Sequence, residues 1–260
     1  MEEAQSYNLP RVIGEQYILS SIVQETPTTV TYAATQKDMR REVLVEGLRP
    51  AAAQDRRKAQ FFIESARAKA QVKNIHIAAP LELLQDEGTW YLANERIKGE
   101  PLDMMISNGR LLPASVVCGL LKQLCRVCFY MDVERIATLP FTLEHTYKMD
   151  MGFSFDNMAV AGPRKHGESR SYMKGAAVLI TPLLDTSSTL SGPVEMVLAR
   201  LRSGSDWEPL SPIVFDEELT RLQMDIMHAN AQEVSPTAAA GGEPHRQGGS
   251  EFTATVSVCP

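Results

Sequence analysis

Cysteine is scarce in this 260-residue chain, with Cys118, Cys125 and Cys128 close together and Cys259 near the end. That distribution makes no disulfide framework and fits a reducing setting. An uninterrupted apolar run of about 18 residues, the length that crosses a bilayer, is also missing. The start, Met-Glu-Glu-Ala-Gln-Ser, is acidic and polar with no apolar run behind it. Neither a secretory signal nor a membrane segment is therefore expected, and a cytoplasmic location is. A basic excess is lacking too: 26 Lys and Arg stand against 32 Asp and Glu, and a net charge of −6 argues against nucleic acid as a partner. What is present is an ordinary globular composition, 44% hydrophobic and 22% charged, on a chain long enough for a large core.

Short β-branched and aromatic runs open the chain. Tyr17 to Val23, Val30-Thr31-Tyr32 and Val43-Leu44-Val45 read as strands separated by turn formers. From Asp55 to Val72, Ala59, Phe62, Ile63, Ala66 and Ala70 recur at helical spacing. Ala78 to Leu84 and Trp90 to Ala93 read as two more strands, with Asp86-Glu87-Gly88 as hairpin chemistry between them. A strong helix signal begins near Pro113 and carries Val117, Leu120, Leu121, Leu124, Cys128 and Met131 on one face. Further helices are expected over Ser171 to Leu184, over Val194 to Arg202, and from Asp216, read as an N-cap, through Met227. Beyond Glu233 the composition turns to Ser, Pro, Thr, Ala and Gly, and a disordered tail is expected, whose Phe252 to Val258 alternates like a strand.

The order β-β-β-α-β-β, then a bridge and a helical half, resembles the two lobes of Ser/Thr protein kinases, in a degenerate, bacterial-type form. Tyr91 to Leu102 looks like the fifth strand and hinge of that family, and Arg110-Leu111-Leu112-Pro113 and the helix after it look like its first large C-lobe helix. The resemblance implies an α+β, two-lobed fold: an extension over 1–14, an N-lobe over 15–98 with a five-stranded antiparallel sheet and one helix, a reduced and mainly helical C-lobe over 99–232, and a tail over 233–260. It also assigns positions. Asn94 becomes the gatekeeper, and Glu95 and Ile97 stand where backbone groups meet adenine. Val23, Glu25 and Thr28 occupy the glycine places of the phosphate loop, counted back from Val30.

An active kinase needs those glycines because backbone amides must approach the phosphates closely. None is present. Leu44 and Glu46 stand in the third-strand motif, with Glu46 at the lysine that grips the α- and β-phosphates. Glu64 is expected as the helix glutamate, which would set two carboxylates against each other across the cleft. The catalytic loop has two registers. One takes Phe155 to Val160 for the loop, puts the base position on Gly152 and gives Pro182-Leu183-Leu184 the place of Asp-Phe-Gly. The other puts the base on Leu139, the metal-binding asparagine on Glu144 and Asp-Phe-Gly on Asp156-Asn157-Met158. The spacing from Ile136 favours the second, and both lack the base.

The expectation is thus a catalytically inactive, kinase-like interaction module that binds a protein partner, with no cofactor and neither ATP nor Mg²⁺ binding expected. The alternative is a nucleotide- and metal-dependent phosphotransferase that uses Glu46, Glu64, Glu144 and Asp156 as hard oxygen donors. Cys118, Cys125 and Cys128 read as apolar packing, and His76 and His145 as structural. Between Lys37 and Lys73 there are ten Lys or Arg against five Asp or Glu, a basic N-lobe on an acidic chain. Residues 163–170 read as a short polar loop.

Overall fold

The computed structural model describes residues 8–156, 158–165, 167–187, 190–203 and 212–233. Asn157, the segment after residue 233 with its strand-like stretch, and Cys259 lie outside the described residues. In the N-terminal half, β1 (Arg11–Ile13), β2 (Tyr17–Glu25), β3 (Thr29–Gln36) and β4 (Arg41–Leu48) precede α1 (Pro50–Gln54) and α2 (Arg56–Gln71), and β5 (Pro80–Asp86) and β6 (Thr89–Glu95) follow. The six strands pair antiparallel in the order β1-β2-β3-β4-β6-β5. Alternation decides their faces. In β4, Val43 and Val45 enter a core with Ile13, Tyr17, Leu19, Val30 and Tyr91, so Leu44 and Glu46 project from the opposite face.

The sheet has one strand more than expected. β1 falls inside the segment read as an extension, and Ile13 pairs with Tyr17 and is fully buried. Three residues are too few to show a period, which hides β1 in the sequence. Gly14 and Glu15 both take positive φ, 51° and 60°, to turn the chain between β1 and β2. β1 also reaches the far edge of the curled sheet. Arg11 contacts Asp86 at 2.9 Å and Glu87 at 2.8 Å, and the Gly14 amide donates to Asp86 Oδ1 at 3.3 Å.

α2 begins at an Asp55 N-cap whose carboxylate accepts from the amides of Arg57 and Lys58. Its Phe62 and Ala66 pack on Leu48 and Leu92. The residues that follow fasten this lobe to the other one. Tyr130 Oη accepts from the Lys73 amide at 2.7 Å, and residues 76 to 78 run beside Phe155, exchanging two backbone hydrogen bonds with it. His76 is part of this junction, as its structural reading expects, and burial lowers its pKa.

The second half runs β7 (Glu100–Pro101), α3 (Leu102–Ser107), α4 (Ala114–Val133), β8 (Ile136–Thr138), β9 (Thr146–Lys148), β10 (Phe153–Phe155), β11 (Ala159–Pro163), α5 (Glu168–Ile180), α6 (Ser191–Ser203) and α7 (Pro212–Glu233). β9 pairs with β10 and β7, and β8 pairs with β11. α4 is apolar and long enough, at 20 residues, to cross a membrane, yet ten of its residues are buried in the lobe core. Burial pushes the thiol of Cys118 up to about 11 and that of Cys125 to about 12, in keeping with apolar packing.

Two expectations change here. α7 starts a turn before Asp216, with Pro212 in its first turn, and the Asp216 carboxylate is held by Arg126 at 2.8 and 3.0 Å instead of capping the helix. The segment read as a short polar loop over 163–170 is shorter, since β11 ends at Pro163 and α5 begins at Glu168. Arg164, whose side chain is 6% exposed, bonds to Asp132, Ser169, Glu168 and the Ile136 carbonyl, tying the end of β11 to α4 and α5.

Removing the methylenes of Ile13 by Ile13→Ala is expected to cost about 2–5 kcal/mol, as for other fully buried aliphatics. Arg11→Ala, at an exposed pair, is expected to cost less than about 1 kcal/mol. Urea unfolding of the two variants checks this, and a silent Ile13→Ala would show that β1 is no part of the core.

Candidate functional site

A cleft of about 540 Å³ lies between the lobes. Thr29, Thr31, Leu44 and Glu46 form its upper wall, and Lys69 enters from α2. Glu144, His145, Tyr147 and Asp156 form the lower wall, with Asn94 and Glu95 at the strand that joins the two and Asp103 and Met104 at the lip.

The β2–β3 hairpin overhangs the cleft. Thr31 and not Val30 faces the cleft, because Val30 lies on the buried face of β3 at 1% exposure. Counting back from Thr31 moves the three glycine places onto Gln24, Thr26 and Thr29, which all line the cleft. None is glycine. Thr26 Oγ1 accepts from the amides of Thr29 at 2.9 Å and Thr28 at 3.3 Å, and Pro27 has no amide. Arg49 holds the turn from outside through the Thr26 carbonyl at 2.7 Å and through Glu25. The backbone donors of this loop are therefore engaged within it.

Glu46 faces a cation rather than a second carboxylate. Lys69 Nζ is 3.5 Å from its Oε2, with both side chains largely shielded. Glu64 is exposed on the outer side of α2, where it accepts from Gln60 at 2.8 Å. Helix geometry explains the exchange. Seven residues bring Lys69 to within about 20° of Phe62 around the helix, whereas Glu64 lies about 160° away. The expected clash of like charges is replaced by an ion pair with the sheet carrying the acid and the helix the base.

The lower wall is a second network. His145 Nδ1 is 2.6 Å from Asp156 Oδ1, and His145 Nε2 is 3.4 Å from Glu144 Oε1. Tyr147 donates to Asp156 Oδ2 at 3.1 Å. Burial works to lower the His145 pKa, but the Asp156 and Glu144 carboxylates outweigh it, and the net direction is upward. Burial and Asp156 also raise the Tyr147 phenol, which therefore stays protonated and donating. Glu144 and Asp156 thus reach the cleft together, but a histidine sits between them. Among the described residues no three metal-ligating side chains gather into a cation site.

The remaining positions divide. Val23, Leu44, Asn94 and Glu95 line the cleft, and the Glu95 amide already donates to the Ala79 carbonyl at 3.2 Å. Ile97 and Leu139 do not line it. Leu139 follows β8 and donates its amide to the Met158 carbonyl at 2.9 Å. Pro182-Leu183-Leu184 ends the turn after α5 and bonds to Leu112, away from the cleft. Lys69, His145, Tyr147 and Thr26 were not singled out for the cleft by sequence, and a lysine in phase with an apolar helix stripe was the signal for the first.

No family model matches the chain, and the search of curated proteins returns no significant match. Solved structures do match. The kinase domain of Mycobacterium tuberculosis PknI superposes with a TM-score of 0.62 at 13% identity, covering 84% of this chain and 99% of that one. A double mutant of the same domain gives 0.62 at 12% identity, covering 84% and 100%. The fold is that of a protein kinase domain.

Two outcomes test the networks. Lys69→Met leaves Glu46 shielded without its cation and is expected to destabilise the chain by about 1–2 kcal/mol, a value reduced from that of fully buried pairs by the partial exposure. Adding Glu46→Gln should recover most of that loss in a double-mutant cycle followed by urea unfolding. The His145 pKa is raised in the folded state, so its contribution is complete below the ordinary value of 6.5 and is lost as pH rises through the raised value. The wild-type urea midpoint should fall across that interval, and His145→Gln should flatten the fall.

Proposed function

We propose that this chain is a pseudokinase, a non-catalytic kinase-like module that works by binding a protein partner in the cytoplasm. One observation carries the reading: the polar groups with which a kinase cleft would hold a nucleotide triphosphate are engaged with one another. The Thr28 and Thr29 amides are turned onto Thr26, Lys69 onto Glu46, and Asp156 onto His145 and Tyr147. Phosphoryl transfer relies on positioning and charge stabilisation of the phosphates. Here a triphosphate would have to displace these contacts and face Glu46, Glu144 and Asp156. A like-charge contact at 4 Å costs about 1 kcal/mol in water and about 4 kcal/mol at the effective dielectric of a protein surface. Leu139, at the place of the base, carries no group that accepts a proton.

A second reading is favoured by Lys69 alone. It brings an ammonium into the cleft from α2, so a nucleotide able to displace Glu46 would find a cation, as an atypical phosphotransferase requires. Thermal unfolding with ATP, ADP and GTP, with and without Mg²⁺ or Mn²⁺, and a transfer assay with γ-labelled ATP separate the two. No shift and no transfer are expected. A shift that needs nucleotide and metal together and disappears in Lys69→Met would establish the second reading.

A further inference from the structure

The α4 helix borders two adjoining hollows of about 520 and 470 Å³. Val116, Lys148 and Asp150 belong to both, so they form one continuous groove. It runs from the Leu111-Leu112-Pro113 segment, past the β9–β10 turn, to the flank of α7. Its apolar lining is open to solvent: Met151 is 91% exposed, Met227 58% and Leu111 51%. Methionine side chains at such a place are unbranched and polarizable, and adapt to varied apolar anchors.

The charge around the groove is opposite to that of the chain. Arg110 is paired with Glu100, and Arg126 with Asp216. With those pairs set aside, Lys98, Lys122 and Lys148 remain against Asp150. Lys122 contacts the neutral Gln223 at 3.1 Å, Lys148 contacts the Met149 carbonyl, and Lys98 meets no carboxylate among the described residues. On a protein of net charge −6, this is a local positive field over exposed apolar surface. Such a field attracts acidic partners.

The groove is also held rigid from beneath. Gln123 of α4 accepts from the Phe153 amide at 2.9 Å, and Gly152 between them, at φ +79°, approaches so closely that a Cβ there would lie 2.6 Å from Gln123 Nε2. A preformed floor spares a ligand the cost of ordering it. Two hollows joined end to end through Val116, Lys148 and Asp150 suit a peptide segment better than a flat protein surface.

The geometry points to this groove as the docking site for an acidic peptide segment of a partner protein, one that alternates Asp or Glu with apolar anchors. This rests on the reading of the chain as a binding module and names the surface and the partner chemistry. The test uses the full chain with ¹³C-methyl methionine. It is titrated with synthetic peptides in which Asp and Glu alternate with Leu and Phe, and with counterparts carrying Lys for each acid. The acidic peptides should shift the methyl resonances of Met149, Met151 and Met227. Binding should weaken about tenfold or more in the Lys98→Glu, Lys148→Glu double variant, and should weaken with added salt.

Equal response to the basic peptides, or no methyl shift with any of them, overturns the proposal. So does a shift of the same resonances on removing residues 234–260, which would give the groove to the chain's own end, or on raising protein concentration alone, which would give it to a second copy. The γ-phosphate transfer assay runs in parallel. Transfer with peptide binding intact overturns the non-catalytic reading alone, and loss of peptide binding with no transfer overturns the groove alone.

Discussion

The ion pair between Glu46 and Lys69 fixes how the upper half of the cleft is built. It joins β4 to α2 across a surface where both side chains are largely shielded, and either charge alone would be costly there. Its polarity is reversed from that of a kinase, with the acid on the strand and the base on the helix. The reversal keeps the helix docked on the sheet while removing from the strand the cation that holds phosphates.

The same substitution of internal partners for ligand recurs around the cleft. The Thr26 hydroxyl takes the loop amides, Tyr147 donates to Asp156 with His145 as its charge partner, and the Ala79 carbonyl takes the Glu95 amide. A buried polar group must find some partner, and when the ligand's groups are not to be had the chain supplies its own. Arg164 acts in this way for the short connection between β11 and α5. Its nearly buried guanidinium meets two carboxylates, a hydroxyl and a carbonyl, and so fixes the segment.

How much of this was legible follows from the range of each signal. The long periodic elements were readable: α2 and α4 from their apolar stripes, β3 and β4 from β-branched runs, the β5–β6 hairpin from Asp86-Glu87-Gly88. β1 was not, since three residues show no period and Asp86, which Arg11 meets, stands 75 residues away along the chain. The start of α7 was misplaced because an Asp before an apolar stripe looks the same whether it caps a helix or pairs with an arginine ninety residues away. In the candidate site, Glu46 and Asp156 were found as positions, while their partners Lys69 and His145 were not. Position in a motif is local, and partnership is a matter of which faces meet.

The sequence by itself determined the order of strands and helices, the kinase-like division into two halves, and the lack of glycine from Val23 to Thr31 and of lysine in β4, because each is written in residues close together along the chain. The tertiary structure alone decided that Val30 turns inward and Thr31 toward the cleft, that Glu64 faces out, and that Lys69 enters the cleft to neutralise Glu46. Those depend on the face each element presents after packing, and a rotation of 100° per residue along a helix, or one step along a strand, separates a core residue from a cleft residue.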